Sequence, residues 1–198
     1  MDKLLYERKY IDMGVKYVAG VDEVGRGPLA GPVVCCAVVM PLDALIEGVD
    51  DSKKVSEQKR EKLAVEIMRK AVSYSISEVS EKEIDEINIL NAVKKCMEKA
   101  VFGLKVKPDV VLVDGIDLHF PFPAEYIVGG DAKSYSIGAA SIVAKVYRDE
   151  LMRRYSEKYP VYGFEKNKGY GTKAHTEAIK ANGPCPIHRK SFIKNYIR

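Results

Sequence analysis

The chain has 198 residues, 46% of them hydrophobic and 30% charged, enough for one well-packed core and rather short for two independent domains. A net charge of +4 leans toward a polyanionic partner without requiring one, because a modest excess is common on solvated surfaces. No apolar run approaches a bilayer span and the first residues lack the ordered regions of a signal peptide, so a cytoplasmic address without membrane contact is the expectation.

Tyr17 to Asp22 reads as a strand, short and rich in β-branched and aromatic residues, closing at Gly25. Val33 to Met40, nearly all apolar and bounded by Gly31-Pro32 and Pro41, reads as a second strand paired with it as a hairpin. A helix begins at Ser56, where Lys59 stands in the place a capping box gives to Glu, and Leu63, Ile67 and Met68 fall on its apolar face. Ala71 to Ile76 is a third strand. Ser80 and Glu83 form a complete capping box, and Ile84, Ile87, Leu90, Ala92, Val93 and Met97 continue it as one amphipathic helix. Past Pro108, Asp109 to Asp114 has the unbroken apolar run of a strand buried on both faces.

Glu125 to Val128 is a fifth, short strand, and Ser136 through Glu157 one long helix ended by Pro160. The segment from Tyr159 to Arg198 is polar and basic, with two short helical stretches packed on the core. Helices interleaved with a sheet that begins as hairpins define an α/β fold with a mixed sheet covered on both faces. The expectation is a single domain over residues 1–198, with a core of about 17–158 and a C-terminal appendage of about 159–198. Cys35 and Cys36 should point to opposite faces of their strand. No C-x-x-C or H-x-x-x-H spacing occurs, and His119, His175 and His188 stand singly, so zinc and thiol-redox chemistry are disfavoured.

Three strand ends carry acids: Asp22 and Glu23, Asp114, and Asp131 just past Gly129-Gly130. Such ends converge on one crevice in an α/β sheet. Carboxylates crowded there repel one another, and a hard divalent cation is the natural counter-charge. Each Asp alone is more simply a turn residue or a helix cap; their convergence is what makes the case. Glu23 poses a difficulty, since in an ideal strand it points away from Asp22; either the strand is irregular there or Glu23 offers its backbone carbonyl. Gly25 and Gly27 flank Arg26 and allow backbone amides to approach a ligand. The run matches neither G-x-G-x-x-G nor G-x-x-x-x-G-K-[ST], which disfavours a nucleotide cofactor.

The stretch Asp22-Glu23-Val24-Gly25-Arg26-Gly27-Pro28-Leu29-Ala30-Gly31-Pro32-Val33 resembles the signature of ribonuclease HII, the type 2 ribonuclease H. The resemblance continues through Asp51-Ser52-Lys53-Lys54, Val113-Asp114-Gly115, Gly130-Asp131-Ala132-Lys133 and Ala139 to Asp149. It closes with Lys168-Gly169-Tyr170-Gly171-Thr172 and His188-Arg189-Lys190-Ser191-Phe192, covering nearly the whole chain in order.

The resemblance implies a ribonuclease H-like core, a five-stranded mixed sheet flanked by helices, with a C-terminal helical segment. It implies Asp22, Glu23, Asp114 and Asp131 as catalytic metal ligands for Mg2+ or Mn2+. It further implies two-metal-ion hydrolysis of the RNA strand of RNA–DNA hybrids and on the 5′ side of ribonucleotides embedded in DNA, leaving 3′-hydroxyl and 5′-phosphate ends. Gly25, Arg26, Gly27 and Tyr170 would sense the 2′-hydroxyl, the atom that separates RNA from DNA. Lys53, Lys54, Lys133, Lys145, Arg148 and the basic tail are candidate phosphate contacts, and Ser52, Ser134 and Ser141 candidate hydrogen-bond donors. Nothing demands a protein partner or more than a monomer. A junction resolvase would share the acids without a reason for Gly-Arg-Gly and Tyr170; a hybrid-binding module would have no use for acids that repel phosphate.

Overall fold

Alternation along five strands sets the architecture. In the computed structural model, which describes residues 2–115 and 121–197, β1 (Val18–Val24) and β2 (Val33–Val39) form the expected antiparallel hairpin. β3 (Ser73–Val79) extends it antiparallel, whereas β4 (Val110–Asp114) and β5 (Ala124–Ile127) add parallel strands on the other side. The order is β3-β2-β1-β4-β5, a mixed sheet with the acid-bearing strands β1 and β4 adjacent.

Both faces are covered. Val34, Cys36 and Val38 pack beneath α2 (Glu57–Lys70) and the long α6 (Tyr135–Lys158), while Cys35 and Ala37 face α4 (Ile89–Phe102). The two adjacent cysteines therefore serve opposite cores, as strand alternation requires. Small residues let α6 approach the sheet. A Cβ on Gly20 would lie 2.2 Å from the backbone carbon of Ser136, so only glycine at this point of β1 admits the helix.

The start of α6 is fixed by a helix the sequence reading did not anticipate, α1 (Leu5–Asp12). Its fully buried Glu7 accepts hydrogen bonds from the Ser134 hydroxyl (2.6 Å) and the Ser136 amide (2.9 Å), placing negative charge at the positive end of α6. Ser134 in turn caps α6 by accepting from the Ile137 amide. Polar residues near the chain start concealed this role, because its partner lies more than a hundred residues away.

Other boundaries moved for local reasons. The helix expected from Ser80 is two, α3 (Glu81–Ile87) and α4, broken where Asn88 takes φ 66° and caps α4 by accepting from the Asn91 amide. Asn tolerates positive φ better than most residues. Ser56 precedes α2 with extended backbone and no side-chain cap bond, consistent with its incomplete box. β3 starts two residues later than expected and runs on to Val79.

The tail folds as a 3-10 turn (Pro160–Tyr162), α7 (Phe164–Asn167), α8 (Lys173–Asn182) and α9 (Lys190–Ile193), more helical pieces than the two foreseen. It builds a small core of its own from Tyr162, Phe164, Ile179, Ile187 and Ile193, into which Leu29, Ala30 and Met152 insert. Among the described residues no helix is long and apolar enough to cross a membrane. His119 lies outside the described residues.

Candidate active site

Parallel pairing of β1 with β4 matches Val21 to Val113, so the next residues, Asp22 and Asp114, sit side by side on the α6 face of the sheet. The short α5 (Gly130–Lys133), which follows β5 directly, brings in Asp131. Carboxylate oxygens of all three lie within 4.8 Å of one another. Oxygens sharing one hard cation at about 2.1–2.5 Å can be no more than roughly 5 Å apart, so the group fits a divalent ion.

Hydrogen bonds hold these acids in place. The Glu23 amide donates to Asp22 Oδ1 (2.7 Å), the Gly130 amide to Asp114 Oδ1 (2.5 Å) and the Ala132 amide to Asp131 Oδ1 (2.9 Å). Burial, then the charges of Glu23 and Asp114, pushes the Asp22 carboxyl well above the usual range. Asp131 is raised as well, by burial and then by Asp114 and Asp51. Asp22 is only 5% exposed and Asp131 7%, and among the described residues the cation paired with either is the exposed Lys53, 3.6 Å from Asp131. Negative charge held in this way, with too little compensation, favours a bound cation.

Glu23 is different. β1 stays regular through Val24, so the Glu23 side chain leaves toward the α4 face and meets Arg26 at 3.4 Å. Burial raises its carboxyl while Arg26 opposes the shift. The described residues that form the cluster are therefore Asp22, Asp114 and Asp131.

The remaining candidates divide. The Ser141 hydroxyl donates to the Ser52 hydroxyl in a buried hydrogen bond at 2.9 Å, and Ser141 opposes the rise of the Asp22 carboxyl, so this pair backs the acidic rim. Lys53 stands over Asp131, with exposed Lys54 on the same turn. Lys133 donates to the Val128 carbonyl (2.6 Å), and the half-buried Lys145 is occupied by Asp149 (2.7 Å). Ser134 is fully buried as the α6 cap and faces no cleft.

The loop joining β1 to β2 lies beside the rim and is pinned by the tail. Gly25 has φ 98°, and a Cβ there would fall 2.4 Å from Arg148 Nε, so glycine is required on two counts. Arg148, expected from the sequence at a phosphate, is fully buried instead. It donates to the carbonyls of Pro32 (3.1 Å), Lys168 (2.9 Å) and Ala30 (3.2 Å). Arg189 is buried beside it and grips the same loop. Tyr170 is exposed, with its ring 3.6 Å from where a Gly27 Cβ would stand, so Gly-Arg-Gly and Tyr170 do meet.

Behind Tyr170 the two histidines read as isolated in the sequence come together. His175 Nδ1 bonds the Tyr170 carbonyl (2.8 Å), and its Nε2 lies 3.0 Å from His188 Nε2. Nothing in their spacing announced the pair; the only sequence hint was that His188 and Arg189 sit within one of the matching motifs.

Residues 19–195 match the family model for Ribonuclease HII. The chain is 54% identical over 198 residues to a ribonuclease HII of Acetivibrio thermocellus, covering 100% of this chain and 77% of that one. It is 53% identical over 192 residues to a ribonuclease HII of Caldicellulosiruptor bescii, covering 96% and 93%. Among solved structures it is similar to the ribonuclease H2 of Pyrococcus horikoshii, with a TM-score of 0.78, 29% identity, and coverage of 91% of this chain and 97% of that one.

Proposed function

The chain belongs to the ribonuclease HII family and is a metal-dependent endonuclease of RNA strands, and from that premise we propose that it also nicks duplex DNA on the 5′ side of an embedded ribonucleotide. In this reading Asp22, Asp114 and Asp131 hold the ions, Mg2+ or Mn2+, and the products carry 3′-hydroxyl and 5′-phosphate ends. The observation that carries it is the convergence of three carboxylates from β1, β4 and α5 within 4.8 Å.

Two bound divalent ions would supply the acidified water and the neutralised leaving oxygen that phosphodiester hydrolysis needs. The protein's own groups do the rest. Backbone amides fix one oxygen on each ligand, and Ser141 favours the ionised form of Asp22. Lys53 and Lys54 offset phosphate charge beside the rim. The exposed Arg26 and Gly27 present backbone to a 2′-hydroxyl, and Tyr170 offers a ring face to the sugar. Glu23, turned toward Arg26, orients that loop from its other side.

The deciding experiment incubates a duplex bearing one ribonucleotide with the protein in magnesium or manganese, with and without chelator. One nick at the ribonucleotide is expected, lost on chelation. Equal cutting of an all-DNA duplex of the same sequence would overturn the reading.

A further inference from the structure

Arg189 is fully buried, yet its guanidinium donates to backbone carbonyls rather than to a carboxylate: Gly31 through Nε (2.9 Å), Arg26 through Nη1 (2.9 Å) and Gly25 through Nη2 (2.5 Å). Its own amide donates to the Leu29 carbonyl (2.9 Å), so one residue of the tail holds four carbonyls of the loop. A buried cation that hydrogen-bonds to no carboxylate is costly unless its donors are satisfied, and burial together with the neighbouring Arg148, opposed by Glu81 and Asp85, pushes this guanidinium down to about 9. Such an arrangement needs a reason beyond filling space.

Peptide geometry supplies one. In a trans peptide the carbonyl of one residue and the amide of the next point in opposite directions. With the Gly25 and Arg26 carbonyls turned in to the guanidinium, the amides of Arg26 and Gly27 are turned out. Both residues are exposed, and no hydrogen bond among the described residues uses either amide. Two adjacent donors thus face solvent beside Tyr170, held from behind by a planar fork.

We propose that Arg189 is the positioning residue for ribose selection: by fixing the Gly25 and Arg26 carbonyls it aims the Arg26 and Gly27 amides at the 2′-hydroxyl of the ribonucleotide. The inference rests on the reading of the function given above and names the residue that sets its selectivity. Lysine keeps the charge but offers no planar fork, and cannot satisfy three carbonyls arrayed for a guanidinium.

The test compares the wild type with Arg189→Lys and Arg189→Gln, each checked for folding by circular dichroism. Dissociation constants are measured in calcium for two duplexes that differ only by a single 2′-hydroxyl, with cutting monitored on the same samples. The wild-type preference for the ribonucleotide duplex should fall about tenfold in Arg189→Lys, the scale of one lost hydrogen bond, with the all-DNA constant unchanged. A general loosening of the fold would weaken both duplexes together and leave their ratio intact; that result overturns the proposal. So does failure of both variants to fold, which would make the guanidinium a folding element. A wild type with no ribonucleotide preference would instead sink the functional reading itself.

Discussion

The acidic rim and the loop beside it solve opposite electrostatic problems with opposite materials. At the rim, like charges are forced together at strand ends, leaving Asp22 and Asp131 with raised carboxyls and, among the described residues, the exposed Lys53 as their paired cation. In the loop, two buried guanidiniums sit without carboxylate hydrogen bonds and are satisfied by six side-chain bonds to carbonyls, three from each. The rim is built for a ligand that supplies missing positive charge. The loop is complete within the protein, and what it offers outward is polar backbone. On the function proposed above this is a division of labour: reactivity is stored as unrelieved repulsion on the sheet, while selectivity is stored as shape, stapled to the sheet by the tail.

That contrast can be broken most directly at the rim. Asp114→Asn should lower cleavage by roughly a hundredfold or more, because it removes ligand charge where the cation is needed. Duplex binding should change little, and calorimetric metal titration should weaken in step. Cleavage within a few-fold of the wild type would place the metal elsewhere. Arg148→Met probes the other region. It strands the carbonyls of Ala30, Pro32 and Lys168 without donors, at a cost of about 1–3 kcal/mol for each that water cannot reach. Relief of the guanidinium's own desolvation offsets part of this, so a net loss of about 3 kcal/mol in urea unfolding is expected, with metal binding to the folded protein unchanged. A stability loss below about 0.5 kcal/mol, the range of ordinary surface substitutions, would mean that the clamp is dispensable.

The two regions also differ in how far the amino-acid sequence discloses them. The rim was legible because strand ends are marked by short-range signals, an apolar alternating run followed by Asp, and because parallel strands bring their ends to one side. Even the awkward place of Glu23 followed from period two, and the regular strand bears it out. The loop was legible only as a glycine-rich run. Its clamp depends on Arg148 and Arg189, whose burial is opposite to the default for arginine and which lie more than a hundred residues beyond the loop. Glu7 was hidden in the same way, as a buried acid on a polar helix whose partner is the start of α6. Asn88 was hidden by composition: an apolar periodicity runs straight through it, and only its backbone angle divides the helix.

The smallest expected effect follows from the histidine pair behind Tyr170, and it bears on the sign of the pH response. The Cys185 amide donates to His188 Nδ1 (2.9 Å), so that nitrogen carries no proton. A neutral His188 then holds its proton on Nε2 and donates to His175 Nε2, leaving His175 Nδ1 to donate to the Tyr170 carbonyl. A proton added at His188 Nδ1 would have to displace the bond from the Cys185 amide, with only the Cys185 carbonyl, at 3.3 Å, to accept it. Tyr162 and Phe164 pack against both rings. Burial, and then His175, pushes His188 down from the ordinary 6.5 to about 4. Between those values the unfolded chain binds a proton that the folded chain refuses, so this group makes stability fall as pH drops from 6.5 toward 4. The rim acids act in the opposite sense: with raised folded values, they take up protons more readily when folded, and their contribution is lost as pH rises. Magnesium should remove the rim's share by stabilising the ionised carboxylates, leaving the histidine slope exposed. Urea midpoints measured from about pH 7 to about pH 4 in saturating magnesium should therefore fall more steeply for the wild type than for His188→Asn, whose side-chain oxygen can still accept from the Cys185 amide. Parallel pH profiles for the two proteins would show that the pair titrates as freely when folded as when unfolded, and would remove it from the account of how the loop is held.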